Sequence, residues 1–130
     1  NPQVEGVIEA DARAIPLSDA SVTSIMFDPP FVVGGHNEGF KDGIIKKRFT
    51  FFKTIEALYN FYNAALTEFW RLLQKGGIVT FKCQDTVDGG KQYMSHFEVM
   101  KQAERIGFYC KDLFILGRAN ILCSLNMVNQ

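Results

Sequence analysis

The sequence predicts an α/β fold: a mostly parallel sheet with flanking helices, in three layers. Three observations predict it. Short, bulky apolar runs at Ile25-Met26-Phe27 and Ile78-Val79-Thr80-Phe81 have the length and composition of strands. Between them, residues 54 to about 74 carry apolar side chains at helical spacing. A second helical stretch opens at Ser95, and another apolar run follows at 108–116. Strands alternating with helices in this order pack as helices on a sheet.

The 130 residues are 47% hydrophobic and 22% charged, enough apolar content for one core. No repeat, low-complexity tract or linker divides them, so residues 1–130 read as a single domain. Net charge is zero, so any contact with nucleic acid has to come from a local patch rather than an overall field. Cys83, Cys110 and Cys123 are widely spaced and form no CxxC pair. That supports neither a zinc site nor a disulfide framework. Reduced thiols in a cytoplasmic protein, with no metal, are the expectation. There is no signal-peptide pattern and no apolar run of about 18 residues, so no membrane span is expected.

The first expected element is a short strand at Val7-Ile8-Glu9-Ala10-Asp11, ending in an acid. Pro16 makes residues 12–17 a loop, and Ser18-Asp19-Ala20-Ser21 is a turn cluster. Val22 opens the next strand, which runs through Ile25-Met26-Phe27 and stops at Asp28. Pro29 and Pro30 cannot donate to a sheet ladder, and each restricts the residue before it. The backbone therefore leaves the sheet stiffly at the strand's C-terminal end, the edge where open α/β sheets bind ligands. There Asp28 offers a carboxylate, the prolines a fixed carbonyl framework, and Phe31 a stacking face. These groups suit an exocyclic amine on a flat ring, which needs two acceptors and an aromatic lid. A Pro-Pro turn after a core strand is the competing explanation.

Residues 32–53 are the least regular. Val32-Val33-Gly34-Gly35-His36-Asn37-Glu38-Gly39 is a glycine-rich loop without phosphate-loop spacing. Lys41, Lys46, Lys47, Arg48 and Lys53 follow, interleaved with Phe49, Phe51 and Phe52. Cations among aromatics suit a surface that tracks a nucleic-acid backbone and stacks on bases. A solvated basic loop with its phenylalanines tucked into the core explains the pattern equally well. His36 reads as a plain loop residue.

Thr54 can cap the first helix. Ile55, Leu58, Tyr59, Tyr62, Ala65, Leu66, Phe69 and Leu73 form its packing face, and Gly76 is expected to stop it in a left-handed conformation. Ile78-Val79-Thr80-Phe81-Lys82 then reads as a buried strand. Gln84 and Asp85 follow on the same rim as Asp28. They can line a substrate mouth or cap the Thr86-Val87-Asp88-Gly89-Gly90 turn, the capping role being favoured. Ser95-His96-Phe97-Glu98 has the pattern of a capping box. Phe97, Met100, Ala103 and Ile106 are expected to face inward, Gly107 to end the helix, and His96 to be exposed and structural. Residues 108–116 read as a strand, and Ile121-Leu122-Cys123-Ser124-Leu125 as a short strand or helix.

Asp28-Pro29-Pro30-Phe31 resembles the catalytic motif of the amino methyltransferases, S-adenosylmethionine enzymes that methylate adenine N6 or cytosine N4 in DNA. The stretch from Asp11 to Phe31 is similar to one common in class I methyltransferases, with Ile15-Pro16-Leu17 and Ser21-Val22-Thr23 in the matching places. Thr23 stands where that pattern usually has an acid. Arg71-Leu72-Leu73-Gln74-Lys75-Gly76-Gly77-Ile78-Val79-Thr80-Phe81 resembles the helix-to-strand junction after the catalytic motif. Phe81-Lys82-Cys83-Gln84-Asp85, followed by a Gly-Gly-Lys turn, resembles phage and prophage DNA-methylase-like proteins.

The resemblance covers most of residues 7–116 and implies a partial Rossmann-like class I methyltransferase fold. It implies S-adenosylmethionine as cofactor, with Asp11, Ala12 and Asp28 at its site. Asp28, Pro29, Pro30 and Phe31 would be catalytic; Lys46, Lys47 and Arg48 of the basic segment and Gln84 on the rim are the candidate DNA contacts from their own pattern and position. It also implies a strand and Gly-rich turn ahead of Val7, where only six residues stand. A fragment, a half that needs a partner chain, and a degenerate remnant all account for that. The strand at 25–27 then has an open edge, expected to pair with the 7–11 strand or with another subunit. The leading reading is methyl transfer to a DNA base amine. The alternative is a non-catalytic nucleic-acid-binding or assembly module derived from such an enzyme. Protein glutamine methyltransferases, which usually have Asn at the Asp28 position, rank lower.

Overall fold

The computed structural model describes residues 6–33 and 52–116. They form a mixed α/β unit with six elements: β1 (Val22–Phe27), α1 (Ile55–Leu72), β2 (Leu73–Phe81), β3 (Thr86–Asp88), β4 (Lys91–Tyr93) and α2 (Ser95–Ile106). Strands β1 and β2 pair in parallel, with Ile25 opposite Val79 and Phe27 opposite Phe81. Parallel neighbours need a crossover connection, and α1 lies within it. The short strands β3 and β4 form a separate antiparallel hairpin around a turn at Gly89 and Gly90.

Helix α1 starts where the sequence places it. Thr54 is extended, and its Oγ1 accepts a hydrogen bond from the Ala57 N–H at 3.1 Å, filling one of the unpaired donors of the first turn. The helix ends two residues earlier than the expected 74. Leu73 is already extended, so the chain passes straight from helix to strand. Gly76 does not stop the helix. Its φ of +81° falls inside β2, where the register jumps from Val22↔Leu73 to Ser24↔Ile78. Five residues of β2 are thus taken up against two of β1, and the left-handed glycine absorbs the excess.

The core is one face of α1. Leu58, Tyr62, Ala65, Leu66 and Phe69 are buried, joined by Val99 of α2. Ile25 and Phe27 of β1, and Val79 and Phe81 of β2, pack against that face. Phe27 stands edge-on to Phe69 and to Phe81, with ring centroids 4.8 and 5.2 Å apart. The strand at 78–82 is therefore covered on one side rather than buried. Among the described residues nothing covers the other face, where Met26 is 85% and Ile78 53% exposed.

Two expected strands are absent, and the first of the two pairings expected for the outer edge of β1, with residues 7–11, is not made. Residues 7–11 do not form a strand: Val7 and Ile8 are exposed, and Asp11 makes only an isolated bridge to Ala14. Among the described residues no strand pairs with the outer edge of β1. Residues 108–116 do not form a strand either, and Phe114, Ile115 and Leu116 are exposed. An apolar run becomes a strand only where a neighbour supplies its ladder, and none of the described strands does so here. The expected element at 121–125 and the loop at 34–39, His36 included, lie outside the described residues.

Helix α2 forms without its capping box. Ser95 is inside the first turn and completely buried, with its Oγ 3.4 Å from the Tyr59 hydroxyl. The helix N-terminus is met instead by Asp85, whose Oδ1 accepts from the His96 N–H at 3.3 Å. Burying Ser95 rotates the helix so that Val99 and Gln102 face inward and Phe97 is exposed. At the far end Gly107 has φ +127°, and its N–H reaches the Ala103 and Glu104 carbonyls. Trp70 lies across this turn: a Cβ at position 107 would sit 2.9 Å from its ring.

The loop before β1 is tied to α1 by a charged cluster. Arg71 donates to the Ile15 and Leu17 carbonyls and to Asp19, while Glu68 accepts from the Ile15 N–H at 2.8 Å. Arg71 also grips Glu68 through Nε and Nη2, and these bonds hold the Glu68 carboxyl down at about 2.

Two predictions follow from this packing. Gly107→Ala should destabilise the fold by roughly 1–3 kcal/mol, because alanine is strained at that φ and meets Trp70; urea unfolding measures it, and an unchanged midpoint would contradict the turn geometry. A carboxyl held low when folded stabilises above its ordinary value of 4.5, and that contribution disappears as pH falls toward 2. Glu68→Gln should therefore lower stability at neutral pH and flatten its decline between those values. An identical acid limb in the variant would count against the cluster.

Candidate functional site

The C-terminal ends of β1 and β2 make one rim. Asp28 follows β1 directly, and the Lys82 N–H continues the ladder by donating to the Phe27 carbonyl at 2.9 Å. This pairing puts Lys82 beside Asp28, and its Nζ donates to Asp28 Oδ2 at 2.8 Å. Both side chains are mostly exposed, 57% for Asp28 and 69% for Lys82. Such a pair contributes about 0–1 kcal/mol and yields easily to a competing ligand.

Past Asp28 the chain turns back to the core. Pro29 is buried, while Pro30 and Phe31 are half-buried. The completely buried Tyr62 donates its hydroxyl to the Pro30 carbonyl at 3.2 Å. Burial pushes the Tyr62 phenol well above its ordinary range, so it remains a donor. The segment is anchored again where the Phe52 N–H meets the Val32 carbonyl at 3.0 Å. The Phe27 and Pro30 carbonyls are occupied and Lys82 holds one oxygen of the Asp28 carboxylate, which leaves the other carboxylate oxygen and the Asp28 and Pro29 carbonyls as acceptors at the tip. Among the described residues no group donates to either of the last two carbonyls.

Asp11 is engaged rather than open. The Arg13 N–H and Nε both donate to Oδ1 at 2.9 Å, and Nη2 donates to Oδ2 at 2.6 Å. These bonds lower the Asp11 carboxyl to about 2. Arg13 in turn lies over the Phe61 ring, 5.5 Å from its centroid. Phe61 also neighbours Phe27 and Phe52, with centroids 6.3 and 5.4 Å away. Ala12 packs against the core beside this cluster. Phe61 thus links the Asp11 turn to the residue just before Asp28.

On β2's side of the rim, Gln84 is exposed, and among the described residues neither it nor Asp85 bonds the 86–90 turn they were expected to cap. Asp85 holds His96 instead: Nδ1 lies 2.8 and 3.0 Å from its two oxygens. His96 is accordingly half-buried and paired, not a free surface residue. Cys83 is half-buried next to this group, and burial raises its thiol to about 11. Lys46, Lys47 and Arg48 lie outside the described residues, as do Lys41, Phe49 and Phe51. Of that segment Phe52 joins the core, and Lys53 is exposed.

Asp28, Pro29, Pro30 and Phe31 form one continuous tip, and Asp11 is linked to the residue before it by a relay of contacts, Asp11 to Arg13, Arg13 to Phe61 and Phe61 to Phe27. Sequence reasoning missed Arg13, Tyr62 and Lys82 as partners of those residues. Arg13 had a visible signal, a base two positions after an acid across a turn. Tyr62 looked like any other packing residue, and Lys82 like the end of a strand. Among the described residues no cluster of His, Cys, Asp and Glu is arranged to hold a metal ion, and no helix is long and apolar enough to cross a membrane. Comparison with protein-family models, with curated proteins and with solved structures gives no match.

The Cys83 environment is directly testable. With its thiol at about 11, Cys83 carries roughly a hundredfold less thiolate at pH 8 than an ordinary cysteine. Peptide-resolved alkylation should therefore label the exposed Cys110 well before Cys83. Equal labelling rates would show that Cys83 is not buried as described.

Proposed function

We propose that this chain belongs to an S-adenosylmethionine-dependent methyl transfer to an exocyclic amine of a DNA base, adenine N6 or cytosine N4, on a Rossmann-like class I methyltransferase fold. The observation that carries the reading is the Asp28-Pro29-Pro30-Phe31 tip at the C-terminal end of a strand paired in parallel with its neighbour. Ligands of open α/β sheets bind at that edge.

The chemistry follows from two of the tip's acceptors. The Asp28 carboxylate and the Pro29 carbonyl take the two N–H groups of the target amine. Tyr62, by holding the Pro30 carbonyl, fixes the Pro29 peptide next to it. Phe31 stacks on the base plane. Lys82 gives up Asp28 when the amine arrives, at small cost because the ion pair is exposed. Asp11 accepts from the adenine amine of the cofactor, with Ala12 beside it. S-adenosylmethionine, when bound, would supply the methyl of its sulfonium: an N–C bond would form as the C–S bond breaks to leave a neutral thioether, and the methylated amine would lose one proton to the Asp28 carboxylate or solvent. The protein's contribution is positioning, and no covalent bond to the chain is needed. Fit to the cofactor is supported at one point: Asp11 is a half-exposed, ionised acceptor. Lys46, Lys47, Arg48 and Gln84 would meet the DNA.

A second reading has its own support. Both acids are ion-paired within the chain, and β1 and β2 present an open apolar face. A non-catalytic module that binds nucleic acid or completes a larger sheet would look the same.

Calorimetric titration with S-adenosylmethionine separates the two. Binding is expected, weakened roughly ten- to hundredfold by Asp11→Ala, the cost of one hydrogen bond to a charged group. Asp28→Ala should reduce methyl transfer to DNA by about 10²-fold or more, with a much smaller change in cofactor affinity. A folded chain that neither binds the cofactor nor methylates DNA would sink the enzyme reading in favour of the module.

A further inference from the structure

We infer that Arg13 is a positioning residue that holds the Asp11 carboxylate so that one acceptor site, on Oδ2, is left for a ligand N–H. The argument is a count of acceptor sites. An ionised carboxylate offers roughly four lone-pair positions. Arg13 fills both on Oδ1, through its backbone N–H and Nε, and one on Oδ2 through Nη2. Among the described residues a single position remains, on a side chain 46% exposed. The turn is thus built to accept one further donor in a fixed direction.

Arg13 is itself held at both ends. The backbone bond from its own N–H closes the Asp11 turn, and the Ala14 N–H returns to the Asp11 carbonyl at 2.9 Å. The guanidinium plane rests on Phe61, which packs against Phe27 next to Asp28. Direction is therefore transmitted from the Asp28 strand to the Asp11 oxygen through Phe27, Phe61 and Arg13. Lysine cannot replace this, because an ammonium carries the charge without the planar fork. The ligand class is a molecule with one exposed amine N–H on a flat ring. The inference rests on the reading above, in which that donor is the adenine amine of S-adenosylmethionine.

The test compares wild type, Arg13→Ala and Arg13→Lys by titration with S-adenosylmethionine, alongside NMR titration of the Asp11 carboxyl. Freeing the carboxylate to rotate should weaken binding roughly 2–10-fold in Arg13→Ala. Arg13→Lys should bind no better than Arg13→Ala, while its Asp11 carboxyl titrates between those of wild type and Arg13→Ala. Tighter or unchanged binding by a folded Arg13→Ala would overturn the inference, since the clamp would then compete with the ligand or be irrelevant to it. Wild-type affinity in Arg13→Lys would also overturn it, leaving charge alone as the cause. Wild-type protein that is folded and binds no S-adenosylmethionine would overturn the functional reading and this inference with it. Loss of the effect only in the variants touches this inference alone.

Discussion

Tyr62 is completely buried, and its hydroxyl has to find an acceptor there. The acceptor is the Pro30 carbonyl. Much of the described structure depends on that bond and on the face of α1 from which it is made. The same face covers Ile25 and Phe27 on β1 and Val79 and Phe81 on β2, and so holds two parallel strands in register. One turn of helix, Phe61 and Tyr62, touches the Asp11 turn, the end of β1 and the chain beyond Phe31 together.

The acceptors open at the rim are set by what the helix and the sheet ladder take away: Tyr62 of α1 takes the Pro30 carbonyl and the Lys82 N–H the Phe27 carbonyl. The acceptors that remain lie side by side on Asp28 and Pro29. The prolines add stiffness, since neither offers an N–H that could redirect the chain. Charged partners hold the two acids with different numbers of bonds. Lys82 meets Asp28 with one exposed bond, whereas Arg13 meets Asp11 with three. The first pairing is easily exchanged, and the second is a piece of architecture.

The described parallel sheet has two strands. Parallel strands normally have both faces covered, and here Met26 and Ile78 stand open on one side. The outer edge of β1 is likewise without a strand among the described residues. The exposed apolar residues at 113–116 belong to the same picture, a run with strand composition and no ladder to join.

What the sequence alone determined were features set by neighbours along the chain. Thr54 caps α1, the one-sided apolar spacing makes it a packing helix, and the prolines end β1 at Asp28. Each depends on a few consecutive residues, so each was legible. The tertiary structure decided the rest. Residues 7–11 and 108–116 have strand composition, but a strand exists only when another supplies hydrogen bonds, and composition does not reveal the partner. Ser95 matched a capping box, yet burial against Tyr59 claimed its hydroxyl and left the helix end to Asp85. Gly76 looked like a helix stop and became a kink within β2, because the register with β1 had to be corrected there. The partners of the site, Tyr62 for Pro30 and Lys82 for Asp28, lie 32 and 54 residues away in sequence. Only folding brings such groups to hydrogen-bonding distance.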